Sequence, residues 1–112
     1  MHDKRKHNRY NSLNLIHFNC LGMDRQVAKQ GMGRTLNVSE SGILLETNFR
    51  LAEREKVTLS IGLADETVNL EGIVVRSKPG EPERFESGIE FLAIDERDQA
   101  ILNRYIQAFM NQ

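Results

Sequence analysis

Short apolar runs with a period of two constrain the fold of this 112-residue chain more than any other feature. In the segment VTLSIGL, residues 57–63, every second residue is a large aliphatic one and the residues between are small or polar. This alternation is typical of a β-strand that buries one face and exposes the other. The segment therefore predicts one strand of a sheet that has one buried face and one solvent-exposed face.

Five further segments have strand character and polar or glycine boundaries. They are SLNLIHFNCL (12–21), GRTLNV (33–38), GILLET (42–47), TVNLEGIVVRS (67–77) and FESGIEFLA (85–93). In the fourth of these, the alternation becomes a continuous apolar run after Gly72, which predicts a β-bulge or bend at this glycine. Six strands with no helix between them predict a mainly β fold, either an antiparallel sandwich or a small barrel.

Only the end of the chain changes to a helical period. Asp95 is suited to cap a helix N-terminus, and Glu96 and Asp98 place negative charge in the first turn. The apolar residues that follow share one helical face: Ile101, Leu102, Tyr105, Ile106 and Phe109. We therefore expect one amphipathic helix, residues 95–110, that packs against a β-barrel.

The length of the chain fits one domain and leaves no room for a second. Residues 1–10 are predicted to form a flexible basic N-terminal arm, and residues 11–112 a single barrel domain. The apolar runs are far shorter than the roughly 20 residues that a membrane helix needs, and no apolar segment follows the N-terminal charges. We therefore expect a cytoplasmic protein that does not insert into a membrane.

Metal and catalytic chemistry have little support in the sequence. Cys20 is the only cysteine, so neither an internal disulfide nor a thiolate zinc site can form. His2, His7 and His17 have no regular spacing to carboxylates, and no serine stands in a nucleophile–histidine–acid arrangement. The sequence therefore predicts no metal site, no cofactor and no enzyme.

Charge is distributed unevenly between the arm and the rest of the chain. Residues 1–10 hold four Lys and Arg against one Asp, a net charge of +3, whereas residues 11–112 hold 11 against 15, a net charge of −4. The arm is thus suited to bind a compact anion, whereas the negative net charge of residues 11–112 would repel a long polyanion. Single-strand nucleic-acid binders need stacking aromatics and a positive groove. The chain has no Trp, and we expect no DNA or RNA partner.

Two short polar segments are candidates for binding. Arg5 and Arg9 lie four residues apart, and guanidinium forks match both phosphate oxygens and O6 and N7 of guanine. Asn37 and Ser39 would point to the same face at a strand end, beside Gly42, which permits a close backbone approach. Taken alone, the first segment is more typical of a solvated tail and the second of a hairpin turn.

Taken together, the two segments are more specific. RKHNR (5–9) and NVSESG (37–42), in this order and on a six-stranded pattern, resemble the RxxxR and [D/N]xSxxG motifs of the PilZ domain family. GIVVRS (72–77) and SGIEFLAIDERDQAILNRYI (87–106) resemble that family's late strands and C-terminal helix. The resemblance implies a six-stranded antiparallel β-barrel with a C-terminal α-helix.

The resemblance also implies a function, namely that the barrel binds the bacterial second messenger cyclic di-GMP and does no chemistry on it. Arg5 and Arg9 would grip phosphate and the guanine Hoogsteen edge. Asn37 and Ser39 would bind a guanine and the neighbouring phosphate. Gly42 would let the backbone turn close to the ligand.

Several points stay open at this stage. Lys4 could contact a second, stacked ligand molecule, so the stoichiometry is one or two. Arg76 could line the same surface or pair with a neighbouring glutamate. Our leading hypothesis is a stand-alone receptor, monomer or homodimer, whose arm orders on binding and changes a surface that a partner protein reads. The alternative is a PilZ-like adaptor that binds protein but no nucleotide. Motility or biofilm regulation is the setting that the family suggests.

Overall fold

Six antiparallel strands form a closed barrel in the computed structural model, which describes residues 12–22, 24 and 26–112. The strands are β1 (Leu15–Leu21), β2 (Val27–Val38), β3 (Gly42–Thr47), β4 (Lys56–Leu63), β5 (Glu66–Pro79) and β6 (Phe85–Phe91). Around the barrel they follow the order β1-β2-β3-β6-β5-β4, and β4 pairs back onto β1. A short 3-10 turn, Ser12–Asn14, leads into β1, and helix α1 (Glu96–Met110) follows β6. The predicted six-stranded barrel with a C-terminal helix is confirmed.

The core lies inside the barrel and follows from the alternation in the sequence. In β4, Val57, Leu59 and Ile61 are fully buried, while the residues between them are half-buried. The neighbouring strands contribute matching inward rows, with Ile16 and Phe18 from β1. Burial of each such side chain stabilises the fold by about 1.5–3 kcal/mol. The alternation therefore determines which face of every strand points inward.

The strand pairing contradicts the prediction of a bulge at Gly72. Gly72 pairs regularly with Phe91, and the register of β5 against β6 shifts three residues later, where Val75 is the extra residue. Gly72 has a packing role instead, because a Cβ at this position would lie 2.5 Å from Cγ2 of Ile89 and 2.9 Å from the carbonyl oxygen of Glu90. The apolar run after Gly72 therefore marks the bulge, and the glycine itself marks a close contact between strands.

Helix α1 has the boundaries and the buried face that its sequence predicts. The Asp95 carboxylate accepts a hydrogen bond from the backbone N–H of Asp98 at 2.8 Å, which satisfies one of the donors that a helix N-terminus leaves free. Ile101, Leu102 and Tyr105 are buried, and the helix packs against β4 and β5. No helix in the described part of the chain is long and apolar enough to cross a membrane.

Tyr105 connects the helix to two other parts of the fold. Its buried hydroxyl donates to the carbonyl of Leu13 at 3.0 Å, so Thr35 of β2 must be the donor in the 2.8 Å contact between the two hydroxyl groups. Burial raises the pKa of Tyr105, which keeps the hydroxyl protonated and able to donate. A second bond, from Nε2 of Gln112 to Oδ1 of Asn14 at 2.8 Å, ties the segment after the helix to the same region. The segment leading into β1 is thus fastened to both β2 and the helix.

We expect the replacement Ala64→Gly to stabilise the protein by about 0.5–1 kcal/mol. Leu63 pairs with Glu66, so Ala64 and Asp65 form the turn between β4 and β5, and Ala64 has a positive φ of 56°. A side chain costs about 1–2 kcal/mol in this region, and the extra freedom of glycine in the unfolded chain offsets only part of that gain. Urea unfolding measures the difference. Asp65→Gly is the matched control, since Asp65 has no positive φ; a loss of stability in Ala64→Gly would contradict this account.

Cys20 should make stability depend on pH in the alkaline range. Burial, reinforced by the negative charge of Glu55, raises the pKa of its thiol from 9.0 to about 11. The unfolded chain releases this proton first, so the contribution of Cys20 is complete below pH 9 and is lost as pH rises toward 11. Relative to a Cys20→Val variant, the free energy of unfolding of the wild type should fall by about 2–3 kcal/mol between pH 8 and pH 11. Parallel pH profiles for the two proteins would contradict the burial argument.

Candidate functional site

A cleft of about 330 Å³ lies on the outer face of the barrel and crosses β2, β3, β6 and β5. Four residues that the sequence singled out line it: Asn37, Ser39, Gly42 and Arg76. These residues come from three strands and a turn and are up to 39 positions apart in the chain. The fold therefore brings together the second sequence motif and the strand arginine.

The floor of the cleft is one row of cross-strand neighbours. Asn37 pairs with Leu44, Leu44 with Gly88, and Gly88 with Arg76. Directly paired residues point to the same face of a sheet, and adjacent strands lie about 4.8 Å apart, so the row is about 14 Å long. The next row is turned inward and is buried: Val38, Ile43, Ile89 and Val74. The row from Asn37 to Arg76 is therefore the outward-facing one.

A bulge lies next to each end of this row. In β2 the register shifts between Thr35 and Asn37, which leaves Leu36 as the extra residue. In β5 the extra residue is Val75, immediately before Arg76. A bulge lets two consecutive residues face outward, and Val75 and Arg76 are both exposed while Val74 is fully buried. The β5 bulge thus places an apolar side chain, Val75, beside the polar Arg76 in the lining of the cleft.

The segment NVSESG is the hairpin turn that its composition suggested, and it also rims the cleft. The backbone N–H of Ser39 donates to the carbonyl of Gly42 at 2.8 Å, and the N–H of Ser41 donates to Oγ of Ser39 at 3.3 Å. Oδ1 of Asn37 accepts from the N–H of Val38 at 3.0 Å. Within the described part of the chain, the side-chain nitrogen of Asn37 has no partner, and both Asn37 and Ser39 are exposed. The two interpretations of this segment are therefore compatible.

Gly42 is required by the neighbouring strand. Its φ is negative, as for any strand residue, but a Cβ would lie 2.5 Å from the carbonyl oxygen of Ile89. Real Cβ atoms do not come so close to a backbone oxygen, so β3 can approach β6 here only through a glycine. The close approach expected of Gly42 is thus made to Ile89, while an approach to a ligand stays a prediction.

The described lining of the cleft carries one charge of each sign, Arg76 and Glu90. Arg76 is exposed, and no carboxylate of the described residues lies within ion-pair distance of it; the ion pairs there are Arg34–Glu46, Lys78–Glu86 and Arg104–Glu66. In the described structure, Arg76 therefore does not pair with a neighbouring glutamate. The lining as described has no net charge.

The first sequence motif lies outside the described residues, as do Lys4, Arg5 and Arg9. The fold does show where the preceding chain is attached. Leu15 pairs with Arg34 in an antiparallel ladder, so a step back along β1 is a step forward along β2, toward Asn37. The Tyr105 hydroxyl donates to the Leu13 carbonyl and contacts Thr35 of β2, so it holds Leu13 close to β2. Ser12–Asn14 contacts β2, so the described chain begins beside the strand that forms one side of the cleft.

Sequence reasoning did not identify several residues of the cleft, among them Leu44, Val75, Gly88 and Glu90. The broken alternation after Gly72 did signal an extra residue, but only the pairing with β6 locates it at Val75. Gly88 stands at an outward position inside a strand, where a glycine is unusual, and that was the available signal. Among the described residues, no group of three His, Cys, Asp or Glu side chains lies close enough to hold a metal ion.

Replacing Gly42 with alanine should destabilise the fold by about 1–3 kcal/mol, the usual result of forcing extra atoms into a packed position. The added methyl group would push β3 away from the Ile89 carbonyl. Gly62→Ala is the control, because a Cβ there meets nothing within 4 Å. Urea unfolding should separate the two variants; equal stability would contradict the close approach.

Comparisons with known proteins are consistent with this architecture. The family model described as "PilZ domain" matches residues 3–108, a range that includes both sequence motifs. The crystal structure of the PilZ domain of CeSA, from a cellulose-synthesizing bacterium, superposes with a TM-score of 0.61 at 14% identity, over 88% of this chain and 95% of that one.

The structure of the Bacillus subtilis inhibitor of motility, MotI/DgrA, also gives a TM-score of 0.61, at 21% identity and over 88% of this chain. This chain spans about half of that protein, 48% of its length. At such identities the two structures establish a shared fold. No curated protein sequence matches the chain.

Proposed function

Because the chain belongs to the PilZ domain family, a family of cyclic di-GMP receptors, we propose that it binds cyclic di-GMP in the cleft that crosses β2, β3, β6 and β5. PilZ domains are receptor and adaptor domains, not enzymes. The observation that carries the proposal is that Asn37, Ser39, Gly42 and Arg76 line one cleft on the outer face. A compact dianion with two planar bases fits such a mixture of polar groups and bare backbone.

The charge of the cleft lining indicates that the arm takes part in binding the anionic ligand. The described lining has one cation and one carboxylate, Arg76 and Glu90, so it does not by itself attract an anion. The arm, residues 1–10, carries a net charge of +3. In this proposal the barrel supplies the shape of the site and the arm supplies its positive charge.

Chain length allows the arm to reach the ligand. Arg9 is three residues before Ser12 and Arg5 is seven residues before it. An extended chain spans at most about 3.4 Å per residue, so the two arginines can lie up to about 10 Å and about 24 Å from Ser12. The row from Asn37 to Arg76 is about 14 Å long, so the span available to Arg5 exceeds the length of the row, whereas the shorter span of Arg9 limits that residue to groups nearer Ser12.

We assign the residues the following roles. Arg5 and Arg9 bind phosphate and the Hoogsteen edge of guanine through their guanidinium forks. Asn37 offers its amide and Ser39 its hydroxyl to a guanine and the adjacent phosphate. Arg76 closes the far end of the row.

Lys4 bears on stoichiometry, because it directly precedes the first motif and would contact a second, stacked ligand molecule where two bind. One or two molecules of cyclic di-GMP are both compatible with a cleft that is open to solvent.

Signalling follows from where the arm is attached. When residues 1–10 close over the ligand on the barrel of residues 11–112, they change the surface beside β2 that a partner protein can contact. Fixing the arm opposes binding through its loss of conformational entropy. The proposal includes a cytoplasmic location and control of motility or biofilm formation; one structural relative is itself an inhibitor of motility.

The neutral lining favours one second candidate, a PilZ-like adaptor, monomer or homodimer, that recognises protein without nucleotide. Glu90 would oppose a dianion in the cleft unless the arm outweighs it. In that case the cleft and the arm would serve as protein contacts.

Calorimetric titration with cyclic di-GMP tests the proposal. The wild type should bind saturably, and Arg9→Ala should bind at least about tenfold more weakly, a loss of about 1.4 kcal/mol or more, with unchanged thermal unfolding. Arg97→Ala, which removes an exposed helix arginine outside the cleft, is the matched control and should bind like the wild type.

Each other result has a definite meaning. Full-strength binding by Arg9→Ala would exclude its assigned role. Absence of binding by a folded wild type would overturn the receptor proposal in favour of the adaptor.

A further inference from the structure

Gly88 is a glycine that the fold does not need. It lies inside β6, paired with Leu44 on one side and Arg76 on the other, where a glycine normally weakens a strand. Its φ is negative, so no special conformation requires it. A Cβ at this position would meet only Cβ of Arg76 and Cγ2 of Val75, both at 3.8 Å, which is ordinary contact distance.

Two other glycines of the neighbouring strands behave differently. A Cβ on Gly42 or on Gly72 would lie 2.5 Å from an atom of Ile89, so both are explained by strand packing. Gly88 pairs next to the bulge at Val75, but no atom of that bulge comes closer than 3.8 Å to an added Cβ, so the bulge does not require a glycine here. Besides bulges and bends, a glycine inside a strand marks a place where a ligand or another backbone comes close.

The surroundings of Gly88 suit a flat, largely apolar group. Gly88 is at an interior position of the row that forms the floor of the cleft, with the half-buried Leu44 on one side. On the other side, Val75 exposes 54% of its surface, which is high for a valine beside a cleft. Bare backbone between two aliphatic side chains forms a platform about one strand wide.

We propose that Gly88 is a ligand-contact residue: its bare backbone is the platform on which one purine base of the ligand lies, with Leu44 and Val75 against the sides of the base. This inference rests on the proposed function and extends it to residues outside both sequence motifs. A side chain at position 88 would occupy the space of the base and leave the strands undisturbed.

Two valine substitutions in strand glycines test the proposal. Gly88→Val should melt at or above the temperature of the wild type, because valine suits strands better than glycine, yet bind cyclic di-GMP at least tenfold more weakly. Gly62→Val makes the same chemical change at an exposed β4 position away from the cleft and should leave binding unchanged. Gly88→Ala, whose added atom sits at ordinary contact distance, should weaken binding severalfold and keeps the test valid if the valine variant does not fold.

The outcomes separate this inference from the proposed function. If the wild type binds and both Gly88 variants bind equally well, the platform is excluded and the receptor proposal stands. If both variants melt well below the wild type while Gly62→Val does not, the fold needs this glycine and the inference is overturned. If the folded wild type does not bind, the receptor proposal fails and the platform fails with it.

Discussion

Closure of the barrel requires each strand to turn alternate residues inward, and this constraint determines where the cleft can exist. Val38, Ile43, Ile89 and Val74 form one buried row across four strands, so the adjacent row from Asn37 to Arg76 must face outward. The bulges at Leu36 and Val75 add one residue to each flanking strand without disturbing the buried row. Core packing and cleft geometry are thus two results of the same register.

In the proposed receptor, the barrel and the arm contribute different physical properties to binding. The described lining offers shape and polar groups but no net charge, since Arg76 and Glu90 oppose each other. Residues 1–10 hold four Lys and Arg against one Asp. In such a receptor, holding residues 1–10 away from the cleft would lower the affinity for the ligand.

Local sequence was sufficient for the existence of the six strands and the helix, because alternation in VTLSIGL and the cap at Asp95 are local signals. It predicted only residues 33–38 of β2, which runs over Val27–Val38, because the first half of that strand is mostly exposed and has no alternation of buried residues. It also placed Asn37 and Ser39 on one face and Arg76 near them. It misplaced the bulge, because the break in alternation after Gly72 shows that a residue is extra but not which one; pairing with β6 decides that. Gly88 was missed for a related reason. Its distinction from Gly42 depends on what a Cβ would meet on other strands, and the sequence does not contain those distances.

The hydrogen bond between Gln112 and Asn14 makes the described fold almost a ring, since the chain returns after α1 to where it leads into β1. Such a ring can be opened elsewhere and joined at this point without changing the contacts of its core. A circular permutant opened in the turn at Ala64 and Asp65 would keep every residue of the cleft in place. In the proposed receptor, residues 1–11 would then be joined at both ends and would lose less conformational entropy on closing over the ligand. Affinity could thus be tuned by connectivity alone, with no substitution in the site.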